Sequence, residues 1–401
     1  MSAAASEANP QAGSGSGGVA PWSIDPAGWD WPLLGVVVTL VCIGLVMIQS
    51  ASSGLAQALT GGPYHFVVRQ ALGLSVGLVL AIALMGLPWR TLRAATGPAY
   101  LAAIVLLLLV LTPLGHEVNG ARRWLTFGVV NVQPSELAKL ALVGVVADYL
   151  EKNRGRLRDV VGVALPGLAL LLPALVLVIF QRDFGTTLIL LGLTGVLFVI
   201  AGLRWSTFAG GAGGALLVLA ALIAVEPYRV RRITSFLTPF ADPEGSGYQV
   251  VQAWIALATG GWTGTGLAVG VAQRGFVPEA HTDMIMAVVG EELGAVGFLA
   301  VVALLGLLVW RCFRVGLRAP DLFGMLAATG VGAMFAAQAI INIGVVGGML
   351  PAKGLVLPFL SYGASAAVVN VVAVGLVLRV AMETRRVNAR RVPETMAEEA
   401  S

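Results

Sequence analysis

The sequence predicts an all-α polytopic membrane protein. It should have about ten transmembrane helices, with one large extracytoplasmic loop between the seventh and eighth. Three observations carry this. Of 401 residues, 57% are hydrophobic and only 11% are charged, against roughly 25% charge in a soluble domain. The mean hydropathy is +0.87. Apolar runs of about 20 residues, the length that spans a bilayer as a helix, recur along most of the chain. These runs are continuous and rich in Leu, Val, Ala and Gly rather than alternating, which excludes a β-barrel. The 51 glycines suit helices that pack closely in lipid. A soluble enzyme and a disulfide-stapled secreted domain are excluded. So is a nucleic-acid binder: the net charge of +4 belongs to loop residues that set topology.

The elements follow in order. Residues 1–30 lack Lys and Arg and are rich in Ala, Ser, Gly and Pro, the composition of a disordered tail rather than a signal peptide. Spans are expected at 33–53, 66–87, 94–113, 134–150, 160–180, 185–203, 207–225, 284–310, 322–348 and 355–380. Residues 383–401 form a basic, then acidic, tail. Cys42 and Cys312 lie far apart in apolar runs, as small membrane-facing or core residues, with no metal-ligand spacing. Short basic turns (Arg154, Arg156 and Arg158; Arg311, Arg314 and Arg318; Arg385, Arg386, Arg390 and Arg391) fall on one side of the bundle. The positive-inside rule makes that side cytoplasmic, with both termini. The segments at 114–133 and 226–283 then face outward, and long loops in compact folds usually carry function.

Four stretches hold the unusual polar chemistry. In the first, residues 119–140, Pro134 suits the first turn of a helix. Glu136 and Lys139 then share a face at i, i+3. Charges at that depth must face protein or water, as a structural ion pair or with Lys139 holding an anionic group. Arg122 and Arg123 flank Trp124 just outside the membrane. They are an interfacial anchor or a phosphate clamp, for which arginine's planar fork is suited. The second is the loop 226–283, with Arg229, Arg231 and Arg232 against the positive-inside trend. A pyrophosphate would compensate them, as would Asp242 and Glu244. A turn-rich stretch at 240–249 leads to a short amphipathic interfacial helix over 248–258. Gly260, Gly261, Gly264, Gly266 and Gly270 follow, permitting close backbone approach to a ligand.

The third stretch places Glu279, His281 and Asp283 at the outer mouth of the eighth span, with Glu291 and Glu292 deeper. On a continuous helix Glu291 falls about 80° from Asp283, and Glu292 opposite it. Both are therefore read as buried hydrogen-bonding or ion-pairing groups. Asp283 is the candidate general base, or only a capping residue. If Thr282 caps the helix, Asp283 sits at its positive end, which favours the anion. A base working near neutrality needs desolvation to oppose that. The fourth stretch, 342–365, has two prolines, several glycines and Lys353 in a broken lead into the last span.

Together these stretches resemble the SEDS family (shape, elongation, division and sporulation). The motifs are NGARRW at 119–124, QPSELAKL at 133–140, DFGTT at 183–187, DPEGSGYQ at 242–249, PEAHTD at 278–283, GEELG at 290–294, LPAKG at 350–354 and LPFLSYG at 357–363. GYQVVQ, PEAHTD and VVGEELG are closer to the division-type branch than to the elongation type; the sporulation type is near it. The resemblance implies a peptidoglycan glycosyltransferase of the cytoplasmic membrane. Such proteins polymerise lipid II on the outer side at the septum, with a class B penicillin-binding protein and other division proteins. It implies Asp283 as the essential acid. Arg122, Trp124, Lys139 and His281, with Arg229, Arg231 and Arg232, would contact substrate. Glu136, Glu291, Glu292 and Lys353 would be structural or ion-pairing. The cofactor is left open: a divalent cation is allowed, and no ligand set for one is readable. A lipid II flippase and a division scaffold are the competing readings. The chain departs from the family at Arg182, often proline, at Met284 and Met286, usually aromatic, and at Ala364, usually glycine.

Overall fold

The computed structural model describes residues 24–118, 120–127, 130–224, 236, 238–243, 245, 247–270, 277–351 and 354–399. The helices are α1 (Trp31–Thr60), α2 (His65–Gly86), α3 (Trp89–Leu111), α4 (Pro134–Lys152), α5 (Leu165–Ala169), α6 (Leu172–Phe180), α7 (Phe184–Ala201), α8 (Trp205–Ala224), α9 (Tyr248–Gly260), α10 (Ile285–Gly316), α11 (Leu322–Val346) and α12 (Ala364–Glu399). Among the described residues, eight helices are long and apolar enough to cross a membrane. They are α1, α2, α3, the Val160–Phe180 stretch, α7, α10, α11 and α12. Helix α4, with Glu136, Lys139 and Asp148 buried on it, is set apart from them by its charges.

Aspartates start several of these helices by accepting from free first-turn amides. Asp30 accepts from Leu33 and Asp321 from Gly324. The DFGTT motif is such a cap. Asp183 takes the Thr186 amide (3.1 Å) and hydroxyl (2.9 Å), and Thr187 donates back to its carbonyl. The expected span at 160–180 is interrupted, because Pro166 and Pro173 each remove a donor and crowd the preceding turn. It becomes a π-turn (Val160–Ala164) followed by α5 and α6. The Tyr100 hydroxyl donates to the Leu170 carbonyl exposed at that break.

Three sequence expectations need correction. Residues 24–30 are ordered, not part of a tail: Asp25 caps a 3-10 turn over Pro26–Gly28, and Asp30 pairs with Arg311. The segment 114–133 is a three-stranded antiparallel sheet, with strands β1 (Gly115–Val118), β2 (Ala121–Phe127) and β3 (Val130–Val132) in the order β1-β2-β3. Finally, α10 is not continuous. Gly294 sits at φ +68°, ψ −171° inside it.

Four backbone groups at that break find partners in a neighbouring loop. The carbonyls of Glu291 and Glu292 accept from the amides of Thr265 (2.9 Å) and Gly266 (3.1 Å). The amides of Ala295 and Val296 donate to Gly261 (2.9 Å) and Trp262 (3.2 Å). The glycine-rich loop after α9 thus pairs with the opened turn, satisfying groups that a membrane interior would otherwise leave costly. Its glycines serve this approach to a helix backbone. A Cβ at Gly264 would lie 2.1 Å from the Glu292 carbonyl oxygen, and one at Gly294 would lie 2.4 Å from the Gly264 nitrogen. We expect Gly264→Ala and Gly294→Ala each to destabilise by about 2–3 kcal/mol, from left-handed strain plus overpacking. Gly261→Ala, at φ +53°, ψ −140° but in open space, should cost less, about 1–2 kcal/mol from backbone strain alone. Thermal unfolding in detergent compares the three. Equal melting temperatures for all of them would refute the paired break.

Candidate functional site

Asp283 lies in the turn before α10, not on the helix. Met284 is the N-cap and makes no side-chain cap bond. The Thr282 hydroxyl, expected to cap, instead donates to the Glu279 carbonyl (3.2 Å) and carboxylate (2.9 Å). The angular relation of Asp283 to Glu291 and Glu292 on one helix therefore does not arise. Glu279 takes φ +53°, which reverses the chain into this turn.

The turn is held from three directions. Asn342, buried on α11, donates its amide to the Asp283 carbonyl (2.9 Å) and the Leu355 carbonyl (2.9 Å), tying the 277–284 and 354–363 segments together. The Tyr362 amide donates to the His281 carbonyl (2.8 Å). Gln70 of α2, 1% exposed, accepts from the Gly363 amide (3.0 Å) and donates to the Ser361 carbonyl (3.3 Å). Gly354 faces the carboxylate: a Cβ there would lie 3.2 Å from Asp283 Oδ2. Asp283 is half-buried between buried Met284 and the partly exposed Thr282. Its main chain is fixed, and its side chain stands beside a glycine.

His281 is buried against the rings of Phe66 (centroids 4.7 Å) and Tyr362 (5.7 Å). Burial pushes its imidazole below the ordinary value, and the Glu279 carboxylate only partly opposes this. Because the folded value lies below the unfolded one, stability is full above pH 6.5, the ordinary histidine value, and declines as pH falls through the lowered folded value. Melting temperatures between pH 7.5 and 5.5 should fall more steeply for the native chain than for His281→Gln. Parallel slopes would show that His281 does not carry the dependence.

The sheet places the arginines. Alternation puts Arg122 and Trp124 on one face of β2 and Arg123 on the other. Arg122 is exposed and pairs with Glu117 (3.2 Å). Arg123 donates to the carbonyls of Gln181 (3.4 Å) and Arg182 (2.6 Å), strapping the sheet to the turn before α7. Arg182 holds φ +58°, a value that a proline ring forbids. This turn therefore differs from the proline form that the family resemblance suggests. Ala364 packs tightly all the same, because α2 supplies the missing glycine: a Cβ at Gly73 would lie 2.8 Å from the Ala364 carbonyl oxygen. Met284 and Met286 are fully buried in the main core.

Lys139 and Glu136 form an ion pair at 2.8 Å, with side chains 0% and 4% exposed. Glu291 and Glu292 are buried too. Glu292 accepts from the Ser50 hydroxyl (2.5 Å), linking α10 to α1, and a Cβ at Gly270 would lie 2.7 Å from a Glu291 oxygen. Arg229, Arg231, Arg232 and Lys353 lie outside the described residues. Sequence reading missed Asn342, Gln70 and Phe66. For the first two the signal was present, since an amide within an apolar span needs a partner.

These features define a polytopic helical membrane protein whose one clamped, partly exposed carboxylate turn stands among buried polar ties. The family profile of the FtsW/RodA/SpoVE cell cycle proteins matches residues 31–386, so the chain belongs to that family. It is 39% identical to the probable peptidoglycan glycosyltransferase FtsW of Idiomarina loihiensis, over 92% of this chain and 91% of that one. With the protein of the same name from Halomonas elongata it shares 42% identity, over 91% and 93%. Its fold is similar to a chain of a peptidoglycan synthase complex solved for its coordination of polymerization and crosslinking. That match has TM-score 0.74 and 33% identity, covering 89% of this chain and 98% of that one.

Proposed function

We propose that this protein is a division-type peptidoglycan glycosyltransferase that polymerises lipid II at the outer face of the cytoplasmic membrane. The observation that supports it most is the placement of Asp283: a half-buried carboxylate on a turn pinned by Asn342 and faced by Gly354. Both termini are cytoplasmic, by the distribution of basic residues.

The donor sugar is α-linked to pyrophosphate and the product is β-linked, so a single inverting displacement suffices. The acceptor 4-hydroxyl attacks the donor's anomeric carbon as the bond to the pyrophosphate oxygen breaks. Asp283 takes the hydroxyl proton, and the pyrophosphate leaves with the bonding electrons. Arg122, on the exposed face of β2 beside Trp124, would compensate the leaving charge, with Arg229, Arg231 and Arg232 assisting. Lys139 acts one step removed, by holding Glu136. His281, being buried, positions the turn rather than gripping sugar.

The partner is a class B penicillin-binding protein, alongside other membrane proteins of the septum. The test is polymerisation of labelled lipid II by the purified chain with and without that partner. Long glycan products on a gel, increased by the partner, are the expected result; lipid II left unchanged in both would contradict it. A second reading, a lipid II flippase, is favoured by the broken α10, since transporters build sites at interrupted helices.

A further inference from the structure

We propose that a cavity at the opposite end of the molecule from Asp283 binds the phosphodiester headgroup of an anionic phospholipid. The cavity, of about 580 Å³, lies between the 3-10 turn before α1, the end of α10 and the late part of α12. Gly28, Val315 and Ala381 contribute apolar lining, the Trp29 ring adds a wall, and Arg318 and Arg385 bring donors.

Among the described residues, the charges around it do not balance. Asp30, also in the lining, is taken by Arg311 through two guanidinium donors, one at 3.0 Å. Glu383 is shared by Arg379 (2.9 Å) and Arg386 (4.0 Å). Among the described residues, Arg318 and Arg385 have no carboxylate within ion-pair distance. Arg385 makes one bond, to the Ala27 carbonyl. Two forked cations around one cavity call for an anion that only accepts, with several oxygens.

The surroundings select a lipid over a soluble anion. Trp31 and Trp310 are 59% and 50% exposed, and Arg311 and Arg314 lie over the Trp310 ring at 5.3 and 5.0 Å. Exposed tryptophans beside arginines mark the level of headgroups. Basic pockets between helices on that side suit anionic headgroups. The apolar lining fits the first methylenes of the acyl chains. A bound headgroup would fasten the 3-10 turn to α10 and α12.

Native mass spectrometry of the delipidated full chain in neutral detergent tests this. The probes are phosphatidylglycerol and phosphatidylcholine with the same acyl chains. The native protein should retain phosphatidylglycerol preferentially. Arg318→Gln touches no internal bond and should weaken that binding about fivefold, the equivalent of ~1 kcal/mol for one basic residue at an anionic surface. Arg318→Gln/Arg385→Gln should abolish the preference and leave phosphatidylcholine adducts unchanged. Arg154→Gln/Arg158→Gln, at another basic turn, should keep it. Equal retention of both lipids by the native chain would overturn the proposal. So would equal loss in both double variants, or displacement of phosphatidylglycerol by inorganic phosphate at matched concentration.

Discussion

Asp283→Asn should fold, reach the membrane and lose polymerisation by about 10²–10⁴-fold, the usual contribution of a positioned general base. The substitution keeps side-chain volume while removing the negative charge and with it the ability to take up a proton. It should also spare the clamp, because Asn342 bonds the main-chain carbonyl of residue 283 and not its carboxylate. Structural loss and chemical loss are therefore separable. Thermal stability and membrane yield should match the native chain, while product from purified lipid II disappears. Asp283→Glu keeps the base but displaces it toward the space that Gly354 leaves beside the native carboxylate, so it should retain a fraction of the rate. Polymerisation by Asp283→Asn within about twofold of native would remove Asp283 as the base.

Lys139→Met should destabilise the bundle by about 3–5 kcal/mol. Glu136 would remain buried on α4 without its only ion-pair partner among the described residues. One of its oxygens already lacks a hydrogen-bond partner there. Glu136→Gln/Lys139→Met removes both charges and should recover most of the stability, since a buried pair is worth little relative to neutral packing. Activity then separates two roles. If the pair only shapes the bundle, the double variant polymerises lipid II nearly as the native chain does. If Lys139 meets the pyrophosphate directly, the double variant is stable and inactive. A single Lys139→Met variant as stable as the native chain would show that the pair is not the buried tie described here.

Much of the fold was legible because membrane insertion imposes a strong and simple pattern. The apolar runs foretold the long helices, Pro134 the start of α4, and the 248–258 stretch the helix α9. The aspartate of DFGTT was legible only as part of a motif; its work as a helix cap depends on Thr186 closing over it. The break at Gly294 was hidden for a physical reason. Residues 284–310 carry an unbroken apolar pattern, and what stabilises the break is backbone pairing to a loop about 30 residues earlier, which periodicity cannot report. The sheet at 115–132 carried its own signal, since Asn119-Gly120 is the dipeptide favoured in tight hairpins and Gly120 takes φ +75°. At the candidate site, Asp283 was singled out as an acid at the outer mouth of the eighth span, within the PEAHTD motif. That it precedes the helix, and that Asn342 and Gln70 hold its turn, are long-range facts. The pairing of Gln70 with Ser361 and Gly363 spans most of the chain.

The central claim is that chemistry occurs on one face of the membrane at Asp283, without passage of the substrate across it. Proteoliposomes holding the oriented protein and its transpeptidase partner, with labelled lipid II confined to the leaflet on the Asp283 side, test that most directly. Glycan polymer should form in that leaflet, with no faster appearance of lipid II in the opposite one than in protein-free vesicles. Rapid transfer of lipid II between leaflets without polymer would contradict the account and make the protein a transporter.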